Sequence, residues 1–196
     1  MKTERYFIIY KPVNMVSQFI SSHQVRLLGD LNFEFPEGTH AIGRLDQHSE
    51  GLLLLTTNKK ITKLLFQGAK PHLRTYLVQV KNIVSKETAK KLSKGIEISA
   101  NNGEKYMTHP CIVTIVHKPK YITEPEVPLH PNAEHSWLEI SLTEGKFHQV
   151  RKMVAAVHHK CIRLIRISIE DIDIQNLLPG EVKEVDEQFF FKQLNL

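Results

Sequence analysis

The stretch A-I-G-R-L-D-Q-H-S-E-G-L-L-L-L-T-T-N, residues 41–58, sets Arg44 and Asp46 directly ahead of the aliphatic run Leu52 to Leu55. A charge buried without a partner is strongly unfavourable, so charges beside such a run are exposed, paired or put to chemical use. A lone loop aspartate is most often a turn or cap residue. Two features weaken that plain interpretation. Arg44 lies two residues away on a predicted strand, and the next strand is too apolar to be exposed on either face. The loop therefore sits at the rim of a buried sheet, where catalytic groups are often mounted and a carboxylate can act as base or nucleophile.

A second charged segment is E-G-K-F-H-Q-V-R-K-M, residues 144–153. Gly145 breaks a strand and a helix begins just beyond it. Helix N-termini attract phosphate, and Lys146, His148, Arg151 and Lys152 surround this one, with Gln149 inside the same motif. Arg151 flanks the apolar stripe one turn from Val154, so its guanidinium can reach inward as well as out to solvent. Arg163 and Arg166 punctuate a strand over residues 162–169 and fall on its opposite faces. His158, His159 and Cys161 cluster in sequence, but no H-E-x-x-H or paired C-x-x-C spacing accompanies them, so metal chemistry is not expected.

These groups need a scaffold, and the composition allows an ordinary one. The chain has 196 residues, 41% hydrophobic and 24% charged, enough for one sizeable core or for one domain with two lobes. No apolar stretch approaches the roughly 20 residues of a membrane span. The opening M-K-T-E-R-Y-F-I-I-Y is broken by Lys11-Pro12 and lacks the pattern of a signal peptide. Cys111 and Cys161 stand far apart, which suits reduced thiols in a cytoplasmic protein. Net charge is +5, unevenly spread: residues 57–94 carry ten Lys or Arg against Glu87, and residues 144–166 carry six against Glu144. Residues 170–187 reverse this, with seven acids and one Lys. Such polarity suggests a basic face for a polyanion, although charge runs are often only solvated surfaces.

The positioning elements follow from pattern. Tyr6 to Tyr10 predicts a strand ended by Lys11-Pro12, and residues 22–31 a helix. Residues 39–45 and 51–57 predict two strands joined by the loop holding Asp46. Asn58 suits the N-cap of a helix burying Ile61, Leu64 and Leu65. Strands are expected at 76–80, 96–99, 111–117 and 137–142, a Ser-capped helix at 85–94 and a loop at 119–131. Val150, Met153, Val154 and Val157 recur at i, i+3, i+4 and i+7, predicting an amphipathic helix over 147–158. Strands outnumber helices without alternating with them, which implies an α+β fold with a mostly antiparallel mixed sheet flanked by helices.

The charged segments also carry a resemblance. G-R-L-D-x-x-S-x-G-L-L-L-L-T at 43–56, E-G-x-x-x-Q-V-R-K-M at 144–153 and R-L-I-R at 163–166 resemble, in order, the motifs of RNA pseudouridine synthases of the small-subunit-synthase type. Y-K-P at 10–12 and P-G-E-V-K-E-V at 179–185 extend the match, which runs from about Tyr6 to the C-terminus. K-P-V-N-M-V-S-Q-F at 11–19 and S-W-L-E-I-S-L at 136–142 are similar to the subgroup acting on large-subunit ribosomal RNA, its E type. The resemblance implies a pseudouridine synthase fold with two lobes around a catalytic cleft. It also implies one catalytic domain over 1–196, with no N-terminal accessory RNA-binding domain.

By the same resemblance Asp46 is the essential catalytic residue, Arg151 pairs with it, Tyr76 stacks on the target base and Leu164 lines the pocket. Arg44 corresponds to the residue that fills the gap left by a flipped base. Lys146, His148, Gln149, Lys152, Arg163 and Arg166 are expected to contact substrate. Isomerising uridine breaks the N-glycosidic bond, rotates the base and rejoins it through C5, so the base must leave its stack for a closed pocket. A close Arg151 would keep the Asp46 carboxylate ionised, for attack at C1′ or removal of the C2′ proton. The Tyr76 OH would lie near C5, where a proton must leave. The reaction needs no cofactor, and the expected partner is large-subunit ribosomal RNA, met by a monomer. Phe147-His148 departs from the usual Asn-Arg, His158-His159-Lys160 from a Gly or His followed by Pro, and Glu170 from a common Gly. A non-catalytic ribosome-assembly factor on the same scaffold is the rival interpretation; it would need neither Asp46 nor Tyr76.

The two basic segments predict salt-dependent RNA binding through displaced counterions. Raising salt from roughly 50 to 200 mM should weaken binding at least about tenfold, as read by fluorescence anisotropy on a labelled RNA. Affinity indifferent to salt would remove the basic-face assignment.

Overall fold

Runs of aliphatic and aromatic residues become strands in the computed structural model, which describes residues 3–68, 70–100, 103–125, 129–130, 132–174 and 176–196. The first elements are β1 (Tyr6–Lys11), β2 (His40–Ala41), β3 (Glu50–Thr56), α1 (Ile61–Gln67) and β4 (Arg74–Lys81). Next come α2 (Lys86–Ser93), β5 (Glu97–Ser99), β6 (Lys105–Met107), β7 (Ile112–Val116) and β8 (His135–Leu142). The chain closes with α3 (Gln149–Ala156), β9 (Cys161–Ile169), β10 (Ile172–Asp173), β11 (Val182–Val185) and α4 (Glu187–Gln193). No helix is long and apolar enough to cross a membrane among the described residues. The α+β class and the largely antiparallel pairing agree with the sequence pattern.

Two compact units are formed. One comprises Met1–His72 with Ile165–Leu196, the other Leu73–Leu164. In the first unit the strand order is β11–β1–β3–β9, antiparallel except for a short parallel pairing of β3 with β9. Every residue of β1 and of β3 is buried, which explains why neither sequence alternates: both faces are covered. Phe33 and Phe35 cover Phe7 at ring distances of 5.6 and 5.7 Å, and Phe190 of α4 meets Tyr6 at 4.8 Å. Asp186 caps α4 by accepting the Phe189 N–H at 2.7 Å.

In the second unit β4, β8 and β7 pair antiparallel in that order. Helix α3 seats Val150, Met153 and Val154, with Val157 just beyond it, in a core that includes Val78, Val80, Leu138, Ile140 and Leu164. Ser85 caps α2 as expected, its Oγ accepting the Thr88 N–H at 3.1 Å.

Some expectations fail for identifiable reasons. The helix expected over 22–31 is only a single 3-10 turn at Leu28–Asp30. The Val16 N–H donates to Arg26 O and the Leu28 N–H to Gln18 O, so these two segments pair with one another instead of coiling. Asn58 does not cap α1 directly; its side chain accepts the N–H of Lys60, the residue just before the helix. Ile61 and Leu65 are buried, but Leu64 points to solvent. Arg44 lies in the loop beyond the shortened β2. Residues 119–125 and 129–130 form no helix or strand, as expected, while 126–128 and 131 of that stretch lie outside the described residues. Strands β6, β10 and β11 and helix α4 are not among the elements that the sequence pattern predicts.

Gly51 is the tightest point of the first unit. Its φ is +100°, and a Cβ there would lie 2.3 Å from Arg166 O and 2.9 Å from Arg166 N. Gly51→Ala should therefore combine backbone strain with overpacking, each about 1–3 kcal/mol, and lower stability by roughly 2–5 kcal/mol. A urea midpoint unchanged from wild type would show that β3 and β9 can separate freely.

Candidate active site

Each unit holds part of the predicted site. In the first, β2 ends where the Ile42 N–H donates to Leu54 O at 2.8 Å, and the chain turns at Gly43, whose φ is +74°. A Cβ on Gly43 would come within 2.7 Å of the Phe66 ring. The next residues are pinned by Ser17, which is buried: its Oγ donates to Leu45 O at 2.7 Å and accepts the Leu45 N–H at 3.0 Å. His48 Nδ1 lies 3.1 Å from Asn14 Oδ1, and the Ser49 N–H closes the turn onto Asp46 O at 3.0 Å. Asp46 is thereby held half-buried in a short loop fixed on both sides, and Arg44 is exposed.

Behind this loop lies a cluster of buried polar groups. Lys11 is fully buried, with Nζ donating to Met15 O at 2.6 Å and Pro12 O at 2.8 Å. Tyr10 OH donates to Glu50 Oε2 at 3.2 Å. Arg166, 3% exposed, donates from Nε to Leu52 O at 2.8 Å, and its buried Nη2 has no hydrogen-bond partner. Burial pushes the Lys11 pKa down to about 7; Glu50 and Asp46 oppose the shift, and Arg166 and Arg26 reinforce it. A neutral amine retains two N–H bonds, which matches the two carbonyls that Lys11 serves. In the sequence Lys11 reads as a strand stop and as part of the Y-K-P motif, and Glu50 carries no assigned role. The signal was present: both charges border fully apolar strands, as Arg44 and Asp46 do.

In the second unit Tyr76 lies on β4 opposite Ile140, half-buried against the apolar core that contains Leu164. Arg151 on α3 is half-buried, its Nη1 3.6 Å from Cys161 Sγ. Burial pushes the Cys161 thiol up, and the nearby Arg151 charge opposes that shift. Burial also lifts the Cys111 thiol to about 11, helped by Glu144, so both sulfurs stay protonated at neutral pH.

The loop entering α3 is heavily constrained. Gln149 Oε1 accepts the Lys146 N–H at 2.8 Å, and its Nε2 donates to Glu144 Oε1 at 2.5 Å. Burial would raise the Glu144 pKa, but hydrogen bonds from Tyr106 OH, the His109 N–H and Gln149 hold it below its usual range. His148, half-buried, adopts a left-handed backbone with φ 54° at the head of the helix.

Burial separates the residues expected to touch substrate. Lys146 is exposed, with Nζ 4.7 Å from the centroid of the Tyr106 ring, and Lys152 is half-buried. Gln149, Arg163 and Arg166 are buried instead, at 5%, 8% and 3% exposure. Arg163 Nη1 donates to Thr123 O at 2.7 Å, so this guanidinium serves the protein interior, as those of Arg166 and the Gln149 amide do. The alternation that placed the two arginines on opposite faces of β9 overlooked that both faces are covered. Among the described residues no three His, Cys, Asp or Glu side chains group as a metal set.

The model of the family described as RNA pseudouridylate synthase matches residues 5–156. The chain is 32% identical over 186 residues to ribosomal large subunit pseudouridine synthase E of Vibrio parahaemolyticus, covering 94% of this chain and 75% of that protein. It is also 32% identical over 174 residues to the enzyme of the same name from Xanthomonas axonopodis pv. citri, covering 88% of this chain and 89% of the relative. A crystal structure of a pseudouridylate synthase superposes with a TM-score of 0.77 at 25% identity, over 99% of this chain and 75% of that one.

Lys11 makes stability depend on pH. Its folded pKa, about 7, lies below the ordinary 10.5, so between these values the unfolded state binds the extra proton. Stability therefore rises as pH climbs through that window, because the charged amine is penalised only when buried. Relative to Lys11→Met, which has no such proton, wild type should gain stability steadily from about pH 7 to about 10.5 in urea melts. Parallel curves for the two proteins would show that Lys11 stays charged in the fold.

Proposed function

The chain belongs to the RNA pseudouridylate synthase family, and on that footing we propose that it isomerises uridine to pseudouridine in large-subunit ribosomal RNA. The observation that carries this proposal is the seat of Asp46, in a loop pinned by Ser17 at the head of a fully buried strand. The Ser17 bonds fix the backbone beside Asp46, so its carboxylate is presented from a set position, which an enzyme, unlike a binding scaffold, requires. The similarity to E-type large-subunit enzymes supports the choice of RNA. A family match spanning residues of both units supports a single catalytic domain. Such a substrate places the reaction in the cytoplasm, where ribosomes are assembled.

In this scheme Asp46 acts at the ribose, Arg151 supplies its counter-charge, and Tyr76 offers the uracil a flat face with an OH for the C5 proton. Leu164 adds apolar wall, Arg44 enters the gap left by the flipped nucleotide, and Lys146, His148 and Lys152 face the RNA backbone. The C1′–N1 bond breaks, a C1′–C5 bond forms, C5 loses a proton and N1 gains one. Atoms and electrons balance within the uridine, so the chemistry requires neither redox partner nor group donor. Recognition would rely on local shape, phosphates and a few unstacked bases, which are accessible before subunit packing is complete.

Pseudouridine mapping in ribosomal RNA from cells with and without the gene should lose one large-subunit site, or very few. Purified protein should modify protein-free large-subunit RNA in preference to intact subunits; modification confined to small-subunit RNA or tRNA would overturn the substrate assignment. Asp46→Asn should lower turnover by about 10³-fold or more while RNA binding persists. Tyr76→Phe should bind RNA yet stall, since it keeps the face and loses the OH. Near wild-type product from Asp46→Asn would remove this carboxylate from the mechanism.

A further inference from the structure

Phe147 is not accounted for by the fold or by the roles above. It is 55% exposed, although a phenyl ring left in water forgoes its burial energy. The ring is nevertheless held in place. It lies flat on the His148 imidazole, centroids 3.8 Å apart and planes 17° from parallel. Lys152 Nζ stands 5.4 Å from the Phe147 centroid and is itself anchored, donating to Ser99 O at 2.7 Å. The backbone beneath the pair is fixed as well: His148 holds the left-handed conformation, and Gln149 ties the loop to Lys146 and Glu144.

Phe147 and Lys152 thus present a flat ring beside a cation, and Lys146, which precedes the ring in sequence, carries a second exposed cation over Tyr106. An ammonium has three N–H bonds, so Lys152 keeps donors for another acceptor after serving Ser99 O. An unpaired nucleotide chain offers the complementary pattern, flat bases between phosphates. Base-on-aromatic stacking flanked by basic residues is how proteins hold single-stranded segments. A docking protein would instead need a larger apolar patch around the ring, and the ring contacts here are with His148 and Lys152.

We propose that Phe147 is a specificity-determining residue that stacks on one unpaired base of the RNA, a nucleotide other than the target uridine, with Lys152 and Lys146 facing the adjoining phosphates. A purine offers more area than a pyrimidine and is held more tightly. The proposal rests on the RNA-modifying activity above, but not on which RNA is modified.

The test uses the full chain and the RNA it modifies, cut to a stem-loop around the modified site, with each unpaired nucleotide replaced in turn by an abasic sugar. Phe147→Ala should raise KM by about 5- to 150-fold, the range of one lost stacking contact, with kcat little changed. Phe147→Trp should restore KM, and both variants should melt as wild type does. One abasic position should raise the wild-type KM to the same extent and have no further effect on Phe147→Ala, the signature of two groups in direct contact. An unchanged KM for Phe147→Ala, or losses that simply add at every abasic position, would overturn the stacking role. Absence of pseudouridine from all large-subunit RNA would instead count against the substrate assignment, and the same cycle on whichever RNA is modified still decides the fate of Phe147.

Discussion

The approach of β3 to β9 at Gly51 governs the half of the site that holds Asp46. Gly51 lies opposite Arg166 in the parallel pairing and opposite Lys11 in the antiparallel pairing with β1. A side chain at this position would collide with the Arg166 backbone, so the strands close only around hydrogen. That closeness fixes where β3 begins and hence where the Asp46 loop leaves the sheet. It also gathers Lys11 and Glu50, at the ends of β1 and β3, beside Arg166 of β9.

Those three charges face a common problem, since water cannot reach them. Backbone carbonyls satisfy them in part: Met15 and Pro12 for Lys11, Leu52 for Arg166. A carbonyl satisfies a donor without neutralising its charge, so the low local dielectric is felt as proton loss where loss is possible. Lysine can respond in this way and does, with its pKa near 7. Arginine cannot, and Arg166 remains a fixed cation with one amino group unsatisfied. The resulting floor is rigid because each group has a partner that it cannot exchange for solvent.

Local strain falls at several non-glycine positions among the described residues. His148, His158 and Glu170 all adopt left-handed backbones that glycine would occupy more cheaply. Each is offset by its surroundings. Glu170 accepts hydrogen bonds from His72 and Asn195, and the N–H groups of His158 and His159 satisfy carbonyls at the end of α3. His148 supports the Phe147 ring. Side-chain contacts at His148 and Glu170, and backbone hydrogen bonds at His158, thus hold conformations that a glycine would adopt freely.

Local sequence alone determined β3, the Ser85 cap and the apolar stripe of α3, because an aliphatic run, a serine ahead of a helix and a 3.6-residue repeat each have a local physical cause. The G-R-L-D and Q-V-R-K-M motifs carried the family in the same way. The 22–31 segment was misjudged because its amides bond to residues ten positions away, which no local window contains. Strands β6, β10 and β11 and helix α4 escaped notice because pairing and docking, not their own composition, stabilise them. Alternation along β9 could not foretell that Arg163 and Arg166 turn inward, since burial on both faces depends on what the rest of the chain lays against them. The depressed Lys11 pKa belongs to the same class: it is a property of the enclosure around the amine, and only the folded chain supplies that enclosure.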